Sequence, residues 1–288
     1  MIRLATRSSA QARTQAEVVA QSITSATGIP VELVFVETLG DQNKDQPLHQ
    51  IGGQGIFVKE VQQAVLRGDA DIAVHSAKDL PSQHAEGLVI GAWCERRDAR
   101  DALVGKSLSD LELGATVATG SVRRRAQLLT VRPDLKFVEL RGNIHTRLEK
   151  IPNNGSIVMA IAAMQVLGIT DRIAEELVTT DFVPMVGQGC VAVECREGDS
   201  NTLAAVSSID HARTRFAVEI ERAFLAELGA GCSMPVGAYV NESNVLSTFM
   251  ATGATNSDRH VKFVETVPPV DAHAFARELA RKSQSALA

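Results

Sequence analysis

Apolar and polar positions alternate along the chain in blocks that predict strands followed by helices. A helix is predicted over residues 10–26, with Ser9 as its N-cap and Gly28 at its end, and a second one over 58–67. Runs of β-branched and aliphatic residues, typical of buried strands, lie at 2–6, 31–36, 71–75 and 88–93. Between residues 38 and 56 the chain is rich in glycine and has few periodic apolar positions. We interpret this segment as a mobile lid rather than a disordered insert.

The alternation resumes in the middle of the chain and stops near residue 211. The charged segment 95–101 is interpreted as a crossing between domains, although a solvated loop would explain it more simply. A strand at 190–195 and a helix over 211–228 come before the tail. Strands are predicted at 115–118, 137–140 and 157–161, and each is followed by a helix. This alternation of strand and helix implies a parallel sheet. The tail, which reads as a separate α+β domain, has strands at 236–240, 245–252 and 260–266 and a helix at 271–287.

Composition narrows the classes of protein that fit. A chain of 288 residues, 45% of them hydrophobic, suits two or three domains with a substantial core. The net charge of −5 does not favour nucleic-acid or membrane partners, and no apolar run approaches the roughly 20 residues of a membrane span. The N-terminus lacks the pattern of a signal peptide. The four cysteines are Cys94, Cys190, Cys195 and Cys232. Their spacing does not match a metal-binding motif. Free thiols are typical of a cytoplasmic protein.

The segment Asp71–Pro81 is the first candidate site. Its apolar half predicts a buried strand, and Ser76, Lys78 and Asp79 stand where that strand ends. Ligands bind at this edge of open α/β sheets. Two interpretations of Asp79 stay open at this point. It is either a salt-bridge partner of Lys78 or an arginine, or a fixed negative charge for a ligand that offers N–H donors or develops positive charge.

Basic residues concentrate between Thr119 and Arg147. This segment has six arginines and one lysine against two acidic residues, in a chain that is acidic overall. Cations in the first turn of a helix oppose the helix dipole, so their presence suggests a bound polyanion. Without a phosphate-binding glycine motif, a ligand with several carboxylates fits better than a nucleotide. Arg125 and Arg132 are expected on a solvated helix face. Arg7 lies at a strand-to-helix turn in the first domain, and the other arginines of this segment have the same kind of position: Arg123, Arg124, Arg141 and Arg147.

Cys232 lies in a glycine-flanked loop that follows a predicted helix. A cysteine in such a loop is a candidate for covalent attachment or nucleophilic chemistry. The other three cysteines lie on or next to predicted strands and fit a packing role.

Together these motifs resemble the porphobilinogen deaminase, or hydroxymethylbilane synthase, family. The similar segments span nearly the whole chain and include LATRSS (4–9), DIAVHSAKDLP (71–81), CERRDARDA (94–102), TGSVRRRAQL (119–128), LRGNIHTRL (140–148), VGQG (186–189) and GCSMPVG (231–237). The resemblance implies two α/β lobes of the type II periplasmic-binding-protein kind plus a small α+β C-terminal domain. Domain 1 would comprise 1–93 and 190–208, domain 2 97–185, and domain 3 211–288.

The resemblance also implies an activity. Four porphobilinogen molecules would be deaminated and joined in turn to a dipyrromethane cofactor held through Cys232, and the linear tetrapyrrole hydroxymethylbilane would be released in tetrapyrrole biosynthesis. Asp79 would be the catalytic carboxylate. Substrate would meet Arg7, Ser9, Arg141 and Arg147. The cofactor would be bound by Asp79 together with Ser76, Lys78, Thr119, Ser121, Arg123, Arg124, Arg147, Gln188 and Gly189. The resemblance also implies a monomer, and neither the motifs nor the cysteine spacing indicates a metal.

Four positions depart from the family pattern. Gln50 and Gln54 replace lysines in the lid, Gly120 replaces a frequent serine, and Val166 replaces an arginine. These changes remove charge or hydrogen bonding from the substrate side. They leave a catalytically weakened homologue as one alternative. The other alternative is a non-enzymatic, two-lobed polycarboxylate-binding protein, in which Cys232 would have no purpose.

Overall fold

A computed structural model of the chain describes residues 1–38, 55, 57–229, 234–256 and 258–288. Gln50, Gln54, Cys232 and all of the predicted lid except Thr38 and Gly55 lie outside the described residues. The described residues form two compact units. Unit 1 comprises Met1–Arg97 and Gly189–Phe216, and unit 2 comprises Asp98–Gln188 and Ala217–Ala288.

The strands are close to their predicted positions, with β5 and β9 as additions that the pattern did not indicate. They are β1 (Ile2–Arg7), β2 (Val31–Val36), β3 (Ile72–Ser76), β4 (Leu88–Trp93), β5 (Asp101–Gly105), β6 (Thr116–Ala118), β7 (Lys136–Val138), β8 (Ser156–Ala160), β9 (Ile173–Leu177), β10 (Val191–Arg196), β11 (Val236–Val240), β12 (Val245–Ala251) and β13 (His260–Thr266). The described α-helices are α1 (Ala10–Thr27), α2 (Lys59–Leu66), α3 (Val122–Val131), α4 (Ile144–Glu149), α5 (Ile161–Leu167), α6 (Ser200–Ser207), α7 (Ala212–Glu227) and α8 (Ala272–Leu287).

Unit 1 is built on a mixed sheet with the order β2-β1-β3-β10-β4. On one face, α1 buries Ala16, Val19 and Ile23 against the sheet, as the three- and four-residue spacing requires. On the other face, α2 contributes Val61 and Val65 to a second cluster. Apolar layers on both faces explain why β1 and β3 are almost continuously buried rather than alternately buried and exposed. Strand β10 returns late in the chain and pairs antiparallel with both β3 and β4.

Unit 2 contains a second mixed sheet, with the order β7-β6-β8-β5-β9, and a three-stranded antiparallel sheet, β11-β12-β13. The predicted parallel arrangement of β6, β7 and β8 is confirmed, whereas β5 runs antiparallel to β8 and β9. The small sheet packs Phe249 and Ala251 of β12 with Ala126 of α3 and with Val183.

The α/β class with a small C-terminal α+β part is confirmed, while the division into three domains stays a prediction. In the described part of the chain, no helix combines the length and the apolar character that a bilayer span needs.

Candidate functional site

The first candidate site lies where β3 ends in unit 1. The backbone leaves β3 at Ser76 and forms a single 3₁₀ turn over Ala77–Asp79, with Pro81 close behind. Strand β10 fixes this exit, because the Ala77 amide donates to the Cys190 carbonyl at 2.9 Å. The turn therefore projects from a buried, paired strand rather than from a free loop.

A cavity of about 60 Å³ opens beside this turn. Its lining includes two residues predicted to bind substrate, Arg7 and Ser9, and two predicted to bind the cofactor, Ser76 and Asp79. Gln15 and Phe57 also line the cavity. The adjacency follows from the sheet order, since β1 and β3 are neighbouring parallel strands whose carboxyl ends lie at one edge.

Asp79 is half-buried and lines this cavity. Among the described residues its carboxylate makes neither a hydrogen bond nor an ion pair. The salt-bridge interpretation of Asp79 thus has no support in the described part of the chain, and the carboxylate remains available to a ligand. Ser76 is held differently, because its hydroxyl donates to the Gln15 side-chain oxygen at 3.1 Å.

Arg7 and Ser9 are positioned by the start of α1. The Ser9 hydroxyl accepts the Ala12 amide at 3.4 Å and so caps the helix as predicted. The Arg7 guanidinium lies 4.1 Å from the centre of the Phe57 ring, a cation–π distance. This contact orients the guanidinium beside the cavity.

A buried polar network lies directly behind the turn. Glu194 of β10 is 2% exposed, and its carboxylate lies 3.1 Å from His75 Nε2 and accepts the Gln62 amide at 2.9 and 3.1 Å. Burial opposes ionisation of Glu194, but its contacts with His75 and Gln62 lower its pKa overall. The network joins α2, β3 and β10 next to the residues that carry Asp79. Sequence reasoning missed it.

The second candidate site lies in unit 2 and centres on a carboxylate that sequence reasoning also missed. Asp101, the first residue of β5, is fully buried. Its Oδ2 accepts Arg123 Nη2 at 2.7 Å, and its Oδ1 accepts Arg124 Nη2 at 2.6 Å and Nε at 3.1 Å. Burial alone would raise the pKa of Asp101, but the charges of the two arginines hold it far below its usual range.

The local sequence explains why both arginines point inward. Ser121 caps α3 by accepting the Arg124 amide at 3.4 Å, and the Thr119 hydroxyl accepts the Ser121 amide at 3.2 Å. This turn places Arg123 and Arg124 in the first turn of α3, where both are buried. Arg125 and Arg132 lie nearer the surface and pair with Glu139 and Asp134, as a solvated helix face predicts.

The remaining predicted arginines follow β7. Asn143 caps α4 by accepting the Thr146 amide at 2.9 Å, and Arg147 Nε donates to the Gly142 carbonyl at 2.8 Å. Arg141 is half-buried, and its buried Nη1 has no hydrogen-bond partner among the described residues. An unpartnered guanidinium nitrogen of this kind suits an anionic ligand.

The VGQG motif contributes to both units separately. In unit 2, the Gln188 side chain is 1% exposed and donates to the Ala99 carbonyl at 2.8 Å and to Asp101 at 2.9 Å. In unit 1, Gly189 has φ of +87°, and its carbonyl accepts the Arg97 amide at 2.9 Å. The Gln188 amide nitrogen is therefore occupied by protein acceptors.

The structure thus groups the predicted residues into two sets. In unit 1, Arg7, Ser9, Ser76 and Asp79 share a cavity, with Lys78 in the same turn. Unit 2 contains Thr119, Ser121, Arg123, Arg124, Arg141, Arg147 and Gln188. Cys232 lies outside the described residues. The sequence signal for Asp101 was an acidic residue directly before the apolar run 102–104, which marks a strand that begins with a charge.

Comparison with known proteins identifies relatives over most of the chain. Two family models match: "Porphobilinogen deaminase, dipyromethane cofactor binding domain" over residues 2–204 and "Porphobilinogen deaminase, C-terminal domain" over residues 215–281. A porphobilinogen deaminase of Thermobifida fusca is 43% identical over 273 residues, covering 92% of this chain and 85% of the relative. One of Syntrophotalea carbinolica is 41% identical over 286 residues, covering 97% and 91%.

A solved structure of a periplasmic substrate-binding protein of an ABC transporter from Coxiella burnetii aligns with 74% of this chain and 94% of its own. The TM-score is 0.46 and the identity 16%.

Proposed function

The chain belongs to the porphobilinogen deaminase family, and on that premise we propose how its own residues perform the deaminase reaction of tetrapyrrole biosynthesis. The enzyme takes porphobilinogen as substrate and carries a dipyrromethane cofactor-binding domain. The observation that carries the proposal is the Asp79 carboxylate, uncommitted among the described residues and facing the same cavity as Arg7 and Ser9.

The residues of unit 2 fit a cofactor that bears carboxylates. Arg123, Arg124 and the ionised Asp101 together have a net charge of +1, and both arginines are buried. A buried cation without a counter-charge is costly, so an anionic group should complete the cluster. Arg123 Nε and Arg141 Nη1 are buried donors without partners in the described part of the chain. Arg123, Arg124 and Arg147, with the Thr119 and Ser121 turn, would hold the acetate and propionate groups of the dipyrromethane.

Asp79 acts on the pyrrole nitrogens and on the charge that the reaction creates. When porphobilinogen loses ammonia from its aminomethyl group, a cation remains that is conjugated with the ring. A fixed carboxylate stabilises that cation and accepts the pyrrole N–H, which orients the ring for attack. Lys78 and Ser76, at the same strand end, would hold a carboxylate of the cofactor.

Arg7, Ser9, Arg141 and Arg147 receive the incoming substrate through its two carboxylates. Arginine suits this task because its planar fork grips a carboxylate at two points. The dipyrromethane, when bound through a thioether to Cys232, supplies the free pyrrole carbon to which the first substrate is joined. Each substrate unit brings its two carboxylates into the growing chain, so several arginines are needed along the path of the product.

The enzyme works as a cytoplasmic monomer in this proposal. The free thiols of Cys94, Cys190 and Cys195 support a reducing compartment. Light scattering coupled to size-exclusion chromatography would report the mass of one chain, and a stable dimer would contradict the monomer.

The decisive experiment measures the intact mass of the purified, denatured protein. We expect a mass above that of the bare chain by one dipyrromethane, a coloured adduct with acidic Ehrlich's reagent, and loss of both in Cys232→Ser. Cys195→Ser is the matched control and should keep both signals, since Cys195 is fully buried in the core of unit 1. Release of ammonia from porphobilinogen excludes an inactive homologue and a binding protein, and its rate separates an active enzyme from a weakened one. An active protein with the bare chain mass would refute the role of Cys232.

A further inference from the structure

Asp101 occupies a position where a carboxylate needs a specific reason. It begins β5, which lies between β8 and β9, and its side chain is fully buried. Aspartate is disfavoured in strands, and a buried carboxylate is costly unless it is paired and hydrogen-bonded. The surroundings of Asp101 meet this requirement with three side chains from two other segments: Arg123, Arg124 and Gln188.

Each guanidinium is held at two points rather than one. Arg123 donates Nη2 to Asp101 and Nη1 to the Val183 carbonyl, both at 2.7 Å. Arg124 donates Nε and Nη2 to Asp101 and Nη1 to the Val158 carbonyl at 2.8 Å. Because Asp101 is shared, the two arginines are fixed relative to each other as well as to the sheet. A ligand that binds them has little side-chain freedom left to freeze.

The donors that remain define what the cluster can accept. With Asp101 ionised, the cluster has a net charge of +1, which one carboxylate would neutralise. Arg123 Nε is buried and lacks a hydrogen-bond partner among the described residues. The side chains of Arg123 and Arg124 are only 4% and 10% exposed, so water satisfies them poorly.

The loop that carries Gln188 is anchored from its other side by Glu221 of α7. This carboxylate is fully buried and accepts the Gly187 amide at 2.8 Å and the Val240 amide at 2.9 Å. The hydrogen bonds thus run from the C-terminal part of unit 2, through residues 187 and 188, to Asp101.

We propose that Asp101 is a positioning residue for the cofactor, which fixes the paired guanidiniums of Arg123 and Arg124 and limits their net charge so that together they receive one carboxylate of the dipyrromethane. This inference rests on the proposed function, because it assumes that the cluster meets the cofactor. Asp101 itself touches the arginines and not the reacting atoms.

The test measures cofactor assembly, separately from turnover. Apoprotein is prepared in cells that make no porphobilinogen, porphobilinogen is added, and intact mass follows the gain of dipyrromethane over time, with a thermal melt of each apoprotein. In Asp101→Asn we expect assembly to slow by about tenfold or more, because the two guanidiniums lose their shared acceptor and repel each other. Asp134→Asn, which breaks an Arg–Asp pair at the far end of the same helix, should assemble at the wild-type rate.

A charge-conserving variant separates positioning from simple charge balance. Asp101→Glu keeps the net charge of +1 and leaves both arginines in place, but it moves the carboxylate by one methylene. Its melting temperature should be closer to that of the wild type than that of Asp101→Asn, yet assembly should stay slow because the geometry of the two guanidiniums is changed. It also carries the test if Asp101→Asn alone does not fold. Wild-type assembly in Asp101→Asn or in Asp101→Glu would overturn the proposal.

The outcome for the wild-type chain keeps the two proposals distinct. A wild-type apoprotein that gains no mass, or a Cys232→Ser apoprotein that gains it, contradicts the proposed attachment through Cys232. Normal assembly in the wild type together with normal assembly in Asp101→Asn contradicts only the role of Asp101.

Discussion

Replacing Asp79 with asparagine separates the charge of this side chain from its size. The side chain is half-buried in the cavity of unit 1 and has no hydrogen bond or ion pair among the described residues. The amide fills the same volume but carries no charge. Any large effect must therefore come from interactions that form only with substrate and cofactor.

The expected effect on stability is small. A substitution that breaks no native contact usually changes the free energy of unfolding by no more than about 0.5 kcal/mol. For a chain of this size, that corresponds to a shift in melting temperature of roughly 2 °C or less. Asp79→Asn should therefore unfold with the wild type.

The expected effect on catalysis is large. Two unit charges about 4 Å apart attract by ~4 kcal/mol at an effective dielectric constant of about 20. If the Asp79 carboxylate loses that interaction with the cation formed on deamination, the rate falls by about a thousandfold, since each 1.36 kcal/mol corresponds to roughly a factor of ten. The loss should appear mainly in kcat, because the charge of the cation develops in the transition state.

Ammonia release from porphobilinogen, measured on protein whose cofactor content is known from intact mass, gives the rate. Glu86→Gln, an exposed carboxylate of the same unit, is the control and should retain activity within about twofold. If Asp79→Asn kept more than about a tenth of the wild-type kcat, the electrostatic role of Asp79 would be wrong. A fall in melting temperature well beyond roughly 2 °C would show instead that the carboxylate supports the fold.

Two further predictions concern unit 1. Gln62→Leu should lower the free energy of unfolding in urea by about 1.5–3 kcal/mol, because Glu194 loses its amide donor. An unchanged urea midpoint would contradict this. The control is Gln63→Leu, which changes the exposed neighbouring residue. Burial, with a contribution from Asp210, raises the pKa of Cys94 to about 12. Alkylation of Cys94 in the folded protein should therefore stay at least about a hundredfold slower at pH 8 than in the unfolded chain, and ordinary labelling rates would refute it.

The pattern of apolar residues was sufficient to predict most elements. Helix α1, its cap at Ser9 and its end at Gly28, and the strand-to-helix turns at Thr119 and Arg141 depend on local propensities that neighbouring residues determine. The motifs at the strand ends also indicated the family, because each is a local run of residues with a specific spacing.

The same reasoning missed β5 and β9, and it missed the antiparallel course of β5 and β10. Strand β5 begins with a buried aspartate, which contradicts the usual pattern of a strand. Burial of Asp101 is explained by its ion pairs with Arg123 and Arg124, which lie more than twenty positions later in the chain. The solvated-loop interpretation of 95–101 failed at Asp101 for that reason.

The sequence by itself determined the α/β class, the positions of the strand ends and the presence of a carboxylate, arginines and a cysteine suited to pyrrole chemistry. Only the tertiary structure decided which of these charges are paired. Asp79 is left without a partner in the described part of the chain, whereas Asp101 is enclosed by two arginines and a glutamine. The physical reason is that propensity acts between neighbours along the chain, while ion pairing and burial depend on which distant segments the sheet order brings together.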